Sequence, residues 1–133
     1  MHEIKLDDLK DARLLTQAVL QITQMLGMYQ AELARILGLQ CNDIGEMASA
    51  RQVLSPDSPA WRRARQFVVL YERLYRHFAG DGVAIYHWLR TEQAQLAASP
   101  FLAMVDAGRL DDVVGCFESG PMRNLHDDGK TRP

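Results

Sequence analysis

At 133 residues, 47% of them hydrophobic, the chain can bury one core, or two small cores sharing an interface, without metal or disulfide staples. Its formal net charge of −2 excludes a histone-like polycation, and no run approaches the roughly 18 apolar residues that a membrane span requires. The two cysteines, Cys41 and Cys116, stand in dissimilar surroundings with no metal-ligand or C-x-x-C spacing, so free thiols in a reducing compartment are expected.

The opening MHEIKLDDLK is too acidic for a signal peptide, and a cytoplasmic location is expected. Asp7 or Asp8 can cap a first helix whose apolar positions Leu9, Leu14 or Leu15, Ala18, Val19, Ile22 and Leu26 keep an approximate 3.6-residue period. Gly27 ends it. The stretch Tyr29 to Arg51 then reads as two short helices joined by a tight turn. Leu33, Ala34 and Leu37 form the apolar stripe of the first, Gly38 supplies the left-handed residue at its end, and Ile44 and Met47 face inward from the second. Ala34 marks the closest approach of the two helices, where a larger side chain would clash.

Such a bihelical unit is the shape that helix-turn-helix proteins present to the DNA major groove. Gln30, at the start of its first helix, is suited to a phosphate contact, although a surface glutamine without a partner gives the same pattern. The second helix begins near Gln40 or Cys41, runs to about Ala50, and presents Gln40, Cys41, Asn42, Gly45, Glu46 and Ser49. Gln40 and Asn42 suit base recognition, because an amide both donates to and accepts from an adenine edge, a contact worth about 1–3 kcal/mol of discrimination. Asp43 and Glu46 oppose it, since carboxylates repel phosphate, and this helix holds no Lys or Arg before Arg51. A helix-turn-helix scaffold that has lost or weakened DNA binding therefore stands as the alternative.

Charge is unevenly spread. Residues 51–90 carry seven Lys/Arg against three Asp/Glu, whereas residues 1–50 and 91–133 each carry four against seven. The positive segment follows the bihelical unit directly; this suits an electrostatic footprint for phosphate contacts, and a solvated helix face produces the same count. Within it, VLSPDSPAW is a turn, Ser58 is a helix cap, and Pro59 takes the first helical position. The helix that follows, over 59–80, places Trp61, Ala64, Phe67 or Val68, Tyr71, Leu74 and Phe78 on one stripe, read as core; Gly80 and Gly82 break it.

From Asp81 or Gly82 three short helical patterns follow. Val83 to Arg90 buries Ala84, Ile85, Trp88 and Leu89; Ser99 caps a helix with Pro100 in its first turn that carries Phe101, Leu102, Met104 and Val105 and closes at Gly108; Leu110 to Glu118 is the last, with Asp111 and Asp112 near its N-terminal end. The tail from residue 121 has little to bury and is expected to be mobile. No strand signal occurs. The histidines His2, His77, His87 and His126 have no metal spacing, and no nucleophile elbow, P-loop or dinucleotide fingerprint is found. No cofactor or metal site is expected, and the chain reads as a binding protein, not an enzyme.

Ala84, Trp88, Leu89, Leu96, Ser99-Pro100, Leu102, Gly108, Val113, Val114 and Phe117 together resemble the toxin-binding domain of the Xre/MbcA/ParS-type antitoxins, over roughly residues 79–120. A preceding helix-turn-helix at the expected distance extends the likeness. Two departures stand out: Glu92-Gln93 where that family has Pro-Asn, and Ala97-Ala98 where it has Gly-Gly, a change consistent with a loop refolded as helix. The resemblance implies an all-α chain with an N-terminal lambda-repressor-like bundle over 1–58, a connecting amphipathic helix over 59–80, a small toxin-binding and dimerisation domain over 81–120, and a tail over 121–133. It implies a homodimer that binds a cognate toxin, often an NAD-consuming enzyme of the RES type, and represses its own operon by binding operator DNA. The site residues expected on this basis are Gln30, Gln40, Cys41, Asn42 and Arg51 toward DNA, and Trp88, Leu89, Arg90, Leu96 and Pro100 toward a partner or second copy. The alternative is a stand-alone regulator or protein-binding adaptor of the same architecture with no toxin.

Overall fold

Residues 11–119 are described by the structure, a computed structural model, and they form seven α-helices. The fold is all-α as expected; among the described residues the one departure is an isolated bridge between Gln93 and Ala98. Asp7, Asp8, Leu9, His2, His126, the tail and the side chain of Phe117 lie outside the described residues. No helix among the described residues is long and apolar enough to cross a membrane.

α1 spans Ala12–Met25 and is capped by Asp11, whose Oδ1 accepts from the backbone N–H groups of Arg13 and Leu14. The cap is thus the third aspartate of the DDLKD run and not Asp7 or Asp8. Leu15, and not Leu14, faces the core, joined by Ala18, Val19 and Ile22. Gly27, with φ 69°, ends the helix while the Met28 N–H returns to the Thr23 carbonyl at 3.0 Å.

α2 (Gln30–Leu37) and α3 (Cys41–Ala48) follow as two eight-residue helices packed on each other. Gly38, at φ 75°, turns the chain between them, and a Cβ there would stand 2.5 Å from Arg63 Nη1. The positive φ selects glycine, whereas the guanidinium, at the end of a flexible side chain, could move aside. α3 stops two residues short of the expected Ala50, because Ala50 itself takes the left-handed conformation at φ 63° while the Arg51 N–H reaches back to the Glu46 carbonyl at 2.9 Å. An alanine serves here where a glycine is usual.

α4 (Pro59–His77) is the spine. Ser58 Oγ accepts from the Trp61 N–H at 3.0 Å, Pro59 occupies the first turn, and the helix packs against α1, α2, α5 and α7. Phe67 and Val68 are both buried, with Ala60, Ala64, Leu70, Tyr71 and Leu74, while Trp61 and Phe78 are half-buried at its edges. Its terminator is Ala79, at φ 52°, followed by Gly80; Gly82 is the first residue of the next helix instead of a break.

α5 (Gly82–Leu89) is capped by Asp81, α6 (Pro100–Val105) by Ser99, and α7 runs Leu110–Ser119. Between α5 and α6 the segment 91–99 is a turn and not a refolded helix. The Gln93 N–H donates to the Ala98 carbonyl at 3.0 Å, the Gln93 carbonyl accepts from Leu96 and Ala97, and Ala97 sits at φ 56°. Ala97 therefore takes a left-handed backbone that glycine adopts more readily, at the steric cost of a Cβ. Ala97→Gly is expected to stabilise the chain by about 0.5–1 kcal/mol, since relief of that strain outweighs the extra freedom of the unfolded chain. Thermal unfolding checks this, and a lower midpoint for the glycine variant would count against it.

One apolar cluster runs from Leu15 through Leu33, Leu37, Ile44, Phe67, Leu74, Ile85, Leu89 and Met104 to Val113 and Cys116. Both halves of the chain contribute to it.

Candidate nucleic-acid and partner interfaces

The first candidate surface is the polar edge of α2 and α3. Gln30 is exposed at the first residue of α2, Gln40 is exposed as the cap residue of α3, and Cys41 and Asn42 are exposed in its first turn. Ile44 and Met47, three residues apart, are locked into the core. This fixes which side of α3 is presented. Cys41 is a free, exposed thiol, whereas Cys116 is buried, and that burial raises the Cys116 pKa, with Asp112 adding to the effect and Arg109 opposing it.

The acids expected to spoil this edge are otherwise engaged. Asp43 is half-buried and its Oδ2 accepts from the Gln40 N–H at 3.0 Å, closing the first turn of α3, while Oδ1 accepts from Gln52 Nε2 at 3.4 Å. Glu46 pairs with Arg51 at 3.5 Å. Glu32 plays the Asp43 role one helix earlier, accepting from the Tyr29 N–H at 2.8 Å. Several cations of the basic segment are occupied as well. Arg63 lies over Gly38 with Nη1 3.5 Å from the Leu37 carbonyl, Arg76 pairs with Glu72 at 3.7 Å, and Arg51 has Glu46. Arg62 remains an exposed cation beside the start of α4.

The second surface lies on α5 and α6. Of the five residues expected to meet a partner, Leu89, Leu96 and Pro100 are buried in the chain's own core, Leu89 completely. Their apolar pattern is satisfied internally, which leaves Trp88 and Arg90 as the partly exposed members. Arg109 helps close the same region, with Nη1 donating to the Leu96 carbonyl at 2.8 Å and Nε to Asp112 at 2.8 Å.

Arg90 is better described as a junction. Its Nη2 donates to the Leu26 carbonyl at the end of α1, and its guanidinium lies against the rings of Tyr86 and Phe101. Tyr86 also reaches over Gly27, where a Cβ would be 3.6 Å from its ring. Tyr86 and Phe101 were not among the expected site residues. The Tyr86–Arg90 spacing of four, which stacks side chains on one helix face, is the signal that could have found Tyr86. Arg35 on α2 meets Asp106 beyond α6 at 3.4 Å, a second tie between the halves. That pair is well exposed and contributes little.

Among the described residues no group of three or more His, Cys, Asp or Glu could hold a metal ion. In comparisons with known proteins, no family model matches the chain and no curated sequence is similar to it.

Proposed function

We propose that the chain is an antitoxin-like binding protein, with α2 and α3 acting as a helix-turn-helix toward operator DNA and α5–α7 acting toward a cognate toxin, as a homodimer. The observation that carries the DNA half is the exposed polar first turn of α3, Gln40-Cys41-Asn42, set against the buried pair Ile44 and Met47. Engagement of Asp43 in capping removes part of the electrostatic objection to that helix. The order of the two units along the chain supports the toxin half. On this reading the protein works by occupying surfaces, without a reaction of its own.

Binding to its own promoter, measured against random DNA at physiological salt, tests the first half. Two half-sites about 34 Å apart are expected for a dimer. Asn42→Ala should lose about 1–3 kcal/mol of discrimination while keeping random-sequence affinity, because an amide reads base edges. Arg51→Ala should weaken all sequences alike; its exposed pair with Glu46 costs at most about 1 kcal/mol to break, so Arg51 can turn to a phosphate. Equal affinity for promoter and random DNA would remove the claim. Co-expression with the neighbouring gene product tests the toxin half, with a stable complex burying on the order of 1,600 Å² expected.

The stand-alone regulator or protein-binding adaptor is the second reading. It is favoured by the lack of any Lys or Arg within α3 and by the turn of Arg63 back onto the Leu37 carbonyl.

A further inference from the structure

Arg90 carries a charge that its own fold does not neutralise. From Gly82 to Val105 it is the single Lys or Arg, and Glu92 the single acid. Its guanidinium carbon lies 3.8 Å from the centre of the Tyr86 ring and 4.7 Å from that of Phe101. Nη2 has the Leu26 carbonyl at 3.3 Å, but Nη1 is buried with no acceptor, and among the described residues no carboxylate pairs with this arginine. A buried donor on a charged group left without an acceptor is costly, and a compact fold normally supplies one. Here the cover is thin. Tyr86, whose ring stacks on it, is 47% exposed as a residue, and Val83 and Leu102 on the same two helices are 69% and 48% exposed.

We infer that Arg90, framed by Tyr86 and Phe101, is the anchor for a carboxylate side chain carried on an otherwise apolar protein segment. This deepens the proposed function and rests on its reading of α5 and α6 as a partner-facing surface. A carboxylate is what the planar fork lacks: it can accept from Nη1 once the Tyr86 ring swings aside, and the flanking rings exclude water from the pair. The exposed Val83, Tyr86 and Leu102 supply contact area of the type found at the centre of protein interfaces, where aromatic residues and arginine concentrate. Nucleic acid fits less well, because tracking phosphates takes several cations and residues 82–105 hold a single Lys or Arg. A partner that takes Arg90 also competes with its bond to Leu26, so occupation would be felt where α1 passes into α2.

The test uses the full chain and two capped peptides that differ in one residue, acetyl-Leu-Glu-Leu-Leu-amide and acetyl-Leu-Gln-Leu-Leu-amide, followed by NMR. The Glu peptide should shift the Arg90, Tyr86 and Phe101 side-chain resonances and the Gly27 amide saturably, and the Gln peptide should bind about tenfold more weakly. Arg90→Met should erase the difference between peptides, while Arg90→Lys should retain part of it. The wild-type comparison stands even if Arg90→Met fails to fold. Equal binding of the two peptides, or no saturable shift at these residues, overturns the inference. So does a single-stranded oligonucleotide that moves the same resonances more strongly than the Glu peptide. Glu-selective binding in a chain that forms no complex with the neighbouring gene product would remove the toxin and leave the anchor, so the two failures are told apart.

Discussion

Phe67→Ala is expected to destabilise the protein by about 3–5 kcal/mol, a large share of the roughly 5–15 kcal/mol that holds a domain of this kind together. Phe67 is among the largest fully buried side chains and sits mid-way along α4, the helix that packs against α1, α2, α5 and α7. Removing its ring leaves a cavity in the apolar cluster that both halves share, and surrounding side chains at crystal-like density collapse into it only in part. The loss should therefore be felt by the whole chain at once. Two tryptophans make this measurable. Trp61 lies in the first turn of α4 and Trp88 near the end of α5, so single-tryptophan variants report on the two regions separately. Urea unfolding of Phe67→Ala should lower both midpoints equally, as coincident probes require of a two-state unit. A Trp88 midpoint that stays in place while that of Trp61 falls would show that α5–α7 fold independently of α4.

That experiment also bears on what the sequence could and could not reveal. Features set by neighbours along the chain were legible: the caps Ser58 and Ser99 with prolines behind them, the Gly38 turn, and the outward side of α3 opposite Ile44 and Met47. Each depends on a few consecutive backbone groups, so residue type and spacing are enough. Choices among equivalents were not legible. Three aspartates in DDLKD can cap α1, and only the register of Leu15 against the core selects Asp11. The ends at Ala50 and Ala79 hide behind a residue that usually prolongs helices, and the positive φ there goes with the backbone bonds Arg51 N–H to Glu46 carbonyl and Gly80 N–H to Tyr75 carbonyl. The partner surface was the hardest to read. A spacing such as Trp88-Leu89…Leu96…Pro100 reports that residues seek apolar contact, but not whether the contact belongs to the same chain. For Leu89, Leu96 and Pro100 it does. Asp43 and Glu46 mislead in the opposite way, since a carboxylate in a sequence looks like free surface charge while here each has a backbone or arginine donor.

Thr16→Val should cost about 1–3 kcal/mol despite preserving shape, and Thr23→Val should cost much less, about 0.5 kcal/mol. Both threonines are buried on α1, and both donate to the carbonyl four residues back, Thr16 to Ala12 at 2.7 Å and Thr23 to Val19 at 2.6 Å. Those bonds duplicate what the helix already provides. Thr16 does one thing more: its Oγ1 accepts from the N–H of Leu54, at 2.9 Å and 38 residues away. Leu54 is buried, so valine at position 16 would strand that N–H without water to replace the hydroxyl. The bond also holds the non-helical segment between α3 and α4 against α1, and that segment carries Arg51 and Gln52, which brace Glu46 and Asp43. Thr16→Val should therefore speed hydrogen exchange at the Leu54 amide well beyond the global loss, and weaken any DNA binding that relies on Arg51. Equal destabilisation by the two valine variants would mean that the hydroxyls act only within α1. In that case the 51–58 segment is held by the burial of Leu54 alone, and Arg51 is positioned by its carboxylate partner and not by the fold beneath it.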